Sequence, residues 1–505
     1  MPGVPGLQAQ ARSRHTPFCP GPAPFAVLTK ASDRMIFRSY YLGCLAHASY
    51  MVGDRTTGVA AVIDPQRDIE QYLVDAAAEG LTIRHVLETH FHADFLSGHL
   101  ELKARAGATI YFGAAARAEF EFTPLRDGDT IEMGRVRLAI LETPGHTPES
   151  ISILVFDLDV DSTEPCAVFT GDTLFIGDVG RPDLMAARGH TPEELASLLY
   201  DSLHGKLLTL PDATRVYPAH GAGSLCGRAL KDERVSTIGR EREWNYACAP
   251  LKRAEFVRLL TTDLPETPAY FPFDAQRNRE QRPLLDAVLD RLRPLDLDQA
   301  LALAARGATL LDVREPTEFA AAHLKDSLNI GLSGKYATWA GSLLEHGRPI
   351  VLIANPGRES EAAVRLGRIG FDDVAGYLTG GLDAARDHDS LIRRADRLTA
   401  QELALRTPAP LILDVRERSE REAKQVAGTI WVPLGQLARR LEELPRDREI
   451  VLQCASGYRS SIGASVLRRA GFERVADLLG GVEAWAGAGL PVTSPGMADA
   501  EARGG

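Results

Sequence analysis

From Ile36 onward, short β-branched and aromatic runs alternate with polar turns. Ala60–Ile63 ends in Asp64-Pro65, Arg84–Leu87 ends in Glu88-Thr89, and Val136–Ile140 is a third run of the same kind. Each has the length and the branched side chains of a strand. Stretches of helical spacing fall between such runs, among them Asp68 to Glu79. Strands mixed with helices, with polar motifs just past the strand ends, predict a layered α/β fold. This region closes near Pro265, and the proline- and aromatic-rich stretch Leu264–Asp274 reads as a linker packed on a surface.

Beyond it the pattern repeats. Leu311-Asp312-Val313-Arg314-Glu315 recurs as Leu413-Asp414-Val415-Arg416-Glu417, Val351-Leu352-Ile353 as Val451-Leu452-Gln453, and Gly380-Gly381 as Gly480-Gly481. The offset is about 100 residues each time, which marks two copies of one small domain. Each copy has strand, helix and strand elements suited to a parallel sheet. The expected organisation is a disordered extension at 1–34, a first domain at 35–285, and the two copies at 292–390 and 395–495.

The net charge of −11 argues against nucleic acid and anionic membrane surfaces as partners, but leaves room for a small anion held by local positive groups. No apolar run approaches the roughly 18 residues that cross a bilayer. The six cysteines are scattered without a C-x-x-C pair, which reads as reduced thiols in a cytoplasmic setting. The first 34 residues carry six prolines and no acidic residue before Asp33, and they lack the continuous apolar segment of a secretory signal.

Chemistry concentrates past the strand ends of the first domain. His90, His92 and Asp94 follow Val86-Leu87, His146 follows Leu141, Asp172 follows Ala167–Phe169, and His220 follows Val216. Four such loops can converge on one edge of a layered sheet. Histidines and carboxylates gathered there are a metal-ligand set.

In order and wording these motifs resemble the metallo-β-lactamase superfamily over about Ile36–Asp263. The segment Thr170–Asp183 resembles, more narrowly, the persulfide dioxygenase family. The resemblance implies an αββα sandwich followed by the two small α/β domains. Thr89–Phe95 nearly spells that superfamily's H-x-H-x-D-H signature, but Phe95 stands where the last histidine of a second metal site would be. A one-metal enzyme is therefore implied, with one Fe(II) per chain on His90, His146 and Asp172. Two histidines and one carboxylate leave open positions for oxygen and substrate. His92, Asp94 and His220 would orient ligands and water. Arg181 matches a family arginine expected near substrate, where it would pair with a small thiol such as glutathione or with sulfur oxyanions; a structural ion pair is the other reading. Cys226, in the glycine-rich Pro218–Gly227 loop, either holds a persulfide, contacts substrate, or is a small buried apolar residue.

The second copy carries its own chemistry. Glu449–Gln453 is an apolar strand that ends in Cys454, and Ala455-Ser456-Gly457-Tyr458-Arg459 leads into a helix from Ile462 to Ala470. A cysteine between a strand and a helix N-terminus faces backbone N–H groups that favour thiolate and bind anions. Gly457 permits the tight loop and Arg459 adds positive charge for sulfite or thiosulfate. With Asp414–Glu417, Gly428–Pro433 and Gly489–Val492, this resembles rhodanese, which implies Cys454 as the persulfide-carrying nucleophile. The first copy has Ala354 at the cysteine position and is expected to be structural.

Together these readings imply oxidation of a low-molecular-weight thiol persulfide by O₂ to sulfite, joined to sulfur transfer between persulfide and sulfite or thiosulfate, in sulfide detoxification. The alternatives are a zinc-dependent, glyoxalase II-like thioester hydrolase fused to a sulfurtransferase, and a non-catalytic sulfur relay. A homo-oligomer is compatible with the sequence.

Overall fold

The computed structural model describes residues 32–184, 189–228, 230–262, 264 and 266–493. The expectation for 1–34 lies almost wholly outside them. No helix among the described residues is long and apolar enough to cross a membrane, and the five described cysteines are all free thiols.

The first domain is built from two six-stranded sheets. One runs in sequence order through β1 (Met35–Leu42), β2 (His47–Asp54), β3 (Val59–Ile63), β4 (Thr82–Leu87), β5 (Thr109–Gly113) and β6 (Thr123–Leu125). The other holds β7 (Thr130–Met133), β8 (Val136–Glu142), β9 (Ile151–Asp157), β10 (Ala167–Gly171), β11 (Arg215–Pro218) and β12 (Ser236–Thr237), again with sequential neighbours. Their inner faces meet in a core that includes Val52, Ile63, Leu138, Ile153 and Phe169. Helices Glu70–Ala78 and His99–Ala106 cover the first sheet through Tyr72 and Leu102, and Pro192–Gly205 and Arg253–Thr261 cover the second through Leu199 and Phe256. The result is the four-layer αββα sandwich. β3 and β4 end where their apolar runs end, so Asp64 and Glu88-Thr89 lie in loops at the site rather than in the ladders.

The two copies have one topology. The first sheet comprises β13 (Pro294–Leu295), β14 (Thr309–Asp312), β16 (Leu328–Asn329), β17 (Ile350–Ile353) and β18 (Val374–Leu378), in the order β13-β18-β17-β14-β16. A small ribbon of β15 (His323–Leu324) and β19 (Ile392–Arg393) closes it. The second comprises β20 (Asp396–Leu398), β21 (Leu411–Asp414), β22 (Ile430–Trp431), β23 (Ile450–Gln453) and β24 (Val475–Leu478), in the matching order β20-β24-β23-β21-β22. All pairs in both are parallel. Cys454 follows the carboxyl end of β23, where open α/β sheets place their ligands.

The stretch expected to be a surface linker is not one. Phe271–Arg277 is helical, and Tyr270 and Phe271 are buried in a core shared with the first copy. Gly341 lets that happen, because a Cβ there would stand 2.7 Å from the Tyr270 ring. Large aromatic surfaces gain most from burial, so these rings leave the surface when a partner is within reach. Arg67 completes the junction. Its fully buried guanidinium pairs with Asp372 at 2.5 Å and Glu101 at 3.2 Å, and donates to the Gly367 and Pro283 carbonyls.

Candidate functional site

Parallel pairing of β10 with β11 sets Gly171 opposite Pro218, so Asp172 and His220 leave the sheet side by side. Gly171 has φ of 53°, and a Cβ on it would lie 2.6 Å from Thr89 Oγ1. Glycine is needed there for both reasons, and the close approach brings the loop after β4 against the loop after β10. Gly180 does the same on the other side, where a Cβ would meet the Asp172 carbonyl at 2.0 Å and His146 Nδ1 at 3.0 Å.

His90, His146 and Asp172 are buried and offer ligand atoms that all lie within 4.8 Å of one another. Asp172 Oδ2 stands 3.8 Å from His90 Nε2 and 3.5 Å from His146 Nε2, and accepts no hydrogen bond among the described residues. The outer nitrogens of both rings are occupied. His146 Nδ1 lies 2.9 Å from the Arg181 carbonyl, which can only accept, so Nδ1 carries the proton. His90 Nδ1 lies 3.0 Å from Thr89 Oγ1, and that hydroxyl already donates to Asp64 Oδ2 at 2.9 Å. Both Nε2 atoms therefore point a lone pair at the orphaned carboxylate oxygen. Burial pushes both imidazoles down towards the neutral, ligating form. Burial by itself would raise the Asp172 carboxyl, but the charge and hydrogen bond of His220 outweigh it and hold it well below the carboxylate range. A buried set of two neutral imidazoles and one ionised carboxylate fits a divalent metal ion.

His92, Asp94 and His220 form a second buried cluster with ligand atoms within 4.8 Å of one another, in which His220 also reaches the first set while both His92 nitrogens and Asp94 Oδ1 have no hydrogen-bond partner among the described residues. His220 Nδ1 bonds Asp172 Oδ1 at 2.7 Å and its Nε2 lies 2.9 Å from Asp94 Oδ2. Those two carboxylates overcome the effect of burial and push the His220 pKa well up. His92 Nε2 stands 3.2 Å from Asp64 Oδ1 and 3.6 Å from Glu88 Oε2. Phe95, fully buried, fills the remaining space with its ring centroid 4.4 Å from that of His92 and 3.9 Å from that of His47.

Cys226 reaches this site: its sulfur lies within 4.8 Å of ligand atoms of Asp172 and His220. Burial and the charges of Asp94 and Asp172 push its thiol pKa well up, keeping it protonated. Arg181 is buried, and its guanidinium bonds Asp183 through Nε at 3.0 Å and Nη2 at 2.7 Å, and the Leu225 carbonyl at 3.3 Å. Its guanidinium joins the Cys226 loop to the body of the domain, and its carbonyl orients His146.

Three site residues escaped the sequence reading. Asp64 sits just past an apolar strand, the very signal that marked the other ligands, and that signal could have found it. Glu88 looked like the end of a strand. His47 begins a strand, and only the bridge between His47 and His220 brings it to the site.

In the second copy, the Gly457 amide donates to Cys454 Sγ at 3.0 Å, and Ser460 Oγ stands 3.5 Å from the same sulfur. The helix spans Tyr458–Arg469, one turn earlier than its apolar spacing indicated, because Gly457 at φ 99° allows an abrupt start. Arg459 pairs with Glu420 through both terminal nitrogens at 2.6 Å. Glu420 was not legible as a site residue, since it lies far from the loop in sequence. In the first copy, the corresponding Glu318 instead accepts from Asn355 at 2.9 Å, and Ala354 has no sulfur to offer.

Comparison with known proteins gives the same architecture. The metallo-beta-lactamase superfamily matches residues 42–220, and the rhodanese-like domain family matches 296–388 and 399–488. Persulfide dioxygenase ETHE1, mitochondrial, of Bos taurus is 31% identical over 214 residues, which cover 42% of this chain and 75% of that protein. A hydroxyacylglutathione hydrolase of Bradyrhizobium sp. is 32% identical over 256 residues, 50% of this chain and 89% of that one. A solved metallo-beta-lactamase from Staphylococcus aureus superposes with a TM-score of 0.61 at 32% identity, covering 69% of this chain and 99% of its own. The chain belongs to the metallo-β-lactamase superfamily, and persulfide dioxygenases are among its homologues. It carries two rhodanese-like domains in tandem after that fold.

Proposed function

We propose that the chain oxidises a low-molecular-weight thiol persulfide with O₂ to sulfite, using one Fe(II), and passes sulfur between persulfide and sulfite or thiosulfate through Cys454. The observation that carries this reading is Asp172 Oδ2, buried, unpartnered among the described residues and facing the Nε2 atoms of His90 and His146, beside a second cluster in which Phe95 packs on His92 and His220 lies between Asp172 and Asp94. His90, His146 and Asp172 would hold the iron, which would supply oxygen activation. Thr89 and the Arg181 carbonyl fix the two rings, His220 fixes Asp172, and Phe95 with Phe175 keeps water from the inner side. Cys226 contacts the thiol substrate beside this set. At the other site, the Gly457 amide and the start of the helix face Cys454 Sγ and would hold the persulfide it carries. The reduced thiols suit a cytoplasmic setting.

The hydroxyacylglutathione hydrolase homologues favour a second reading, zinc-dependent thioester hydrolysis at the same ligands. Metal analysis of anoxically purified protein, with oxygen uptake on a panel of small persulfides, separates the two. About one Fe(II) per chain and persulfide-dependent uptake are expected, both lost in His146→Ala. Two tightly bound zinc ions with thioester cleavage would overturn the dioxygenase reading.

A further inference from the structure

The first rhodanese-like domain has no cysteine, yet it touches both other sites. Its segment Gly331–Tyr336 lies against the Cys454 loop. Tyr458 Oη donates to the Gly331 carbonyl at 2.6 Å, and a Cβ on Gly334 would stand 2.4 Å from the Tyr458 ring. The next residue, Lys335, reaches the opposite way. Its Nζ donates to the Gly223 carbonyl at 3.2 Å, in the loop that carries Cys226. Lys335 directly follows Gly334, which packs on the ring of Tyr458 at the start of the helix behind the Cys454 loop, so its ammonium is carried on the segment that adjoins that loop.

The charge balance at that loop calls for such a cation. Arg459 is paired with Glu420, and Glu417 also acts on it, so its single charge is already offset. A doubly charged sulfur oxyanion would be favoured there by a further cation beside the helix N-terminus. An ammonium has three N–H donors, and the bond to Gly223 uses one.

Resting on the sulfur-transfer reading above, we propose that the cysteine-less copy supplies the wall and the cation of its neighbour's acceptor pocket, with Lys335 binding a sulfur oxyanion of the sulfite class between the Cys226 and Cys454 loops. In the step it serves, the lone pair on sulfite sulfur attacks the outer sulfur of the Cys454 persulfide. The sulfur–sulfur bond breaks, its electron pair stays on Sγ as thiolate, and thiosulfate leaves. No outside oxidant or reductant is needed.

The test uses the full chain as wild type, Lys335→Gln and Lys335→Arg. Cys454 is loaded to completion with a sulfane-sulfur donor, checked by intact mass, and sulfur removal is timed with sulfite and with the neutral thiol dithiothreitol. Lys335→Gln should need about tenfold more sulfite for the half-maximal rate, the loss expected for one charge-assisted hydrogen bond. Removal by dithiothreitol should not change, and Lys335→Arg should recover most of the sulfite response. An unaltered sulfite dependence, or equal slowing with both acceptors, would overturn the proposal. If no persulfide forms on Cys454 even in the wild type, the sulfur-transfer reading fails by itself. Calorimetric titration of sulfite into the full chain then decides the point: about tenfold weaker binding to Lys335→Gln supports Lys335 as the anion site, and equal affinity overturns it.

Discussion

The two oxygens of Asp172 do different work: Oδ1 holds His220 Nδ1 at 2.7 Å, while Oδ2 faces the Nε2 atoms of His90 and His146. The division follows from one β10–β11 register and from the ionised state that His220 imposes on the carboxyl. Cys226 stands at the edge of the same group, and its part is open to a direct measurement. Cys226→Ser keeps the size and removes the sulfur. Persulfide-dependent oxygen uptake should slow by about tenfold, the worth of a contact or two in the reacting complex, while bound metal stays at the wild-type level. Unchanged kinetics would make Cys226 a packing residue, as its burial alone permits.

Loops set by glycine hold both sites together. Gly171 is held at a positive φ with Thr89 Oγ1 in the way of any side chain, whereas Gly128, at φ 86°, has nothing within 4 Å. Gly171→Ala should therefore cost about 1–3 kcal/mol through strain, with the clash added, and should lower bound metal as the two loops separate. Gly128→Ala should lower the melting midpoint less and leave metal content alone. Thermal denaturation with metal analysis reads both. The Cys454 loop permits a complementary test. Serine keeps its shape and cannot carry a persulfide. Cys454→Ser should abolish thiosulfate formation and cleavage while oxygen uptake continues, with sulfite as the end product. Loss of both activities in a folded, metal-loaded variant would break the modular account.

The three domains are joined by buried contacts. Arg67 is the hub, since it ties Glu101 of the first domain to Asp372 of the first rhodanese-like copy. Arg67→Met should cost towards the lower end of about 3–5 kcal/mol, because Arg282 and Arg277 still face the two carboxylates left behind. Acid should act on the same joint. Burial would raise the Glu101 carboxyl, but Arg282 and Arg67 outweigh it and hold it below its ordinary value. A depressed carboxylate contributes stability that is full above its unfolded pKa of about 4.3 and is lost as pH falls through the folded value. Denaturant titrations across this acid range should show a shallower loss of stability in Arg67→Met than in the wild type. Parallel curves would remove Arg67 from the linkage.

The sequence alone carried the layered α/β class, the doubled small domain and the loops that hold His90, His146, Asp172, His220 and Cys454. Each of these signals is local: an apolar run, a polar motif just past it, a repeated phrase. Phe95 was legible as a departure from a motif, and the folded chain buries it against His92 and His47. What depended on distant partners could not be read this way. Leu264–Asp274 has the composition of an exposed linker, yet its aromatic rings are buried because Gly341, some seventy residues on, leaves room for them. Arg459 read as a free positive charge and Arg181 as either a substrate contact or a structural ion pair, and both are paired, with Glu420 and Asp183. His47 reaches the site only through a bridge to His220, and Lys335 meets two loops from separate domains. The physical reason is the same in each case. Strand formation and loop chemistry are fixed by neighbours along the chain, whereas burial and charge pairing are fixed by whichever surfaces the folded layers bring together.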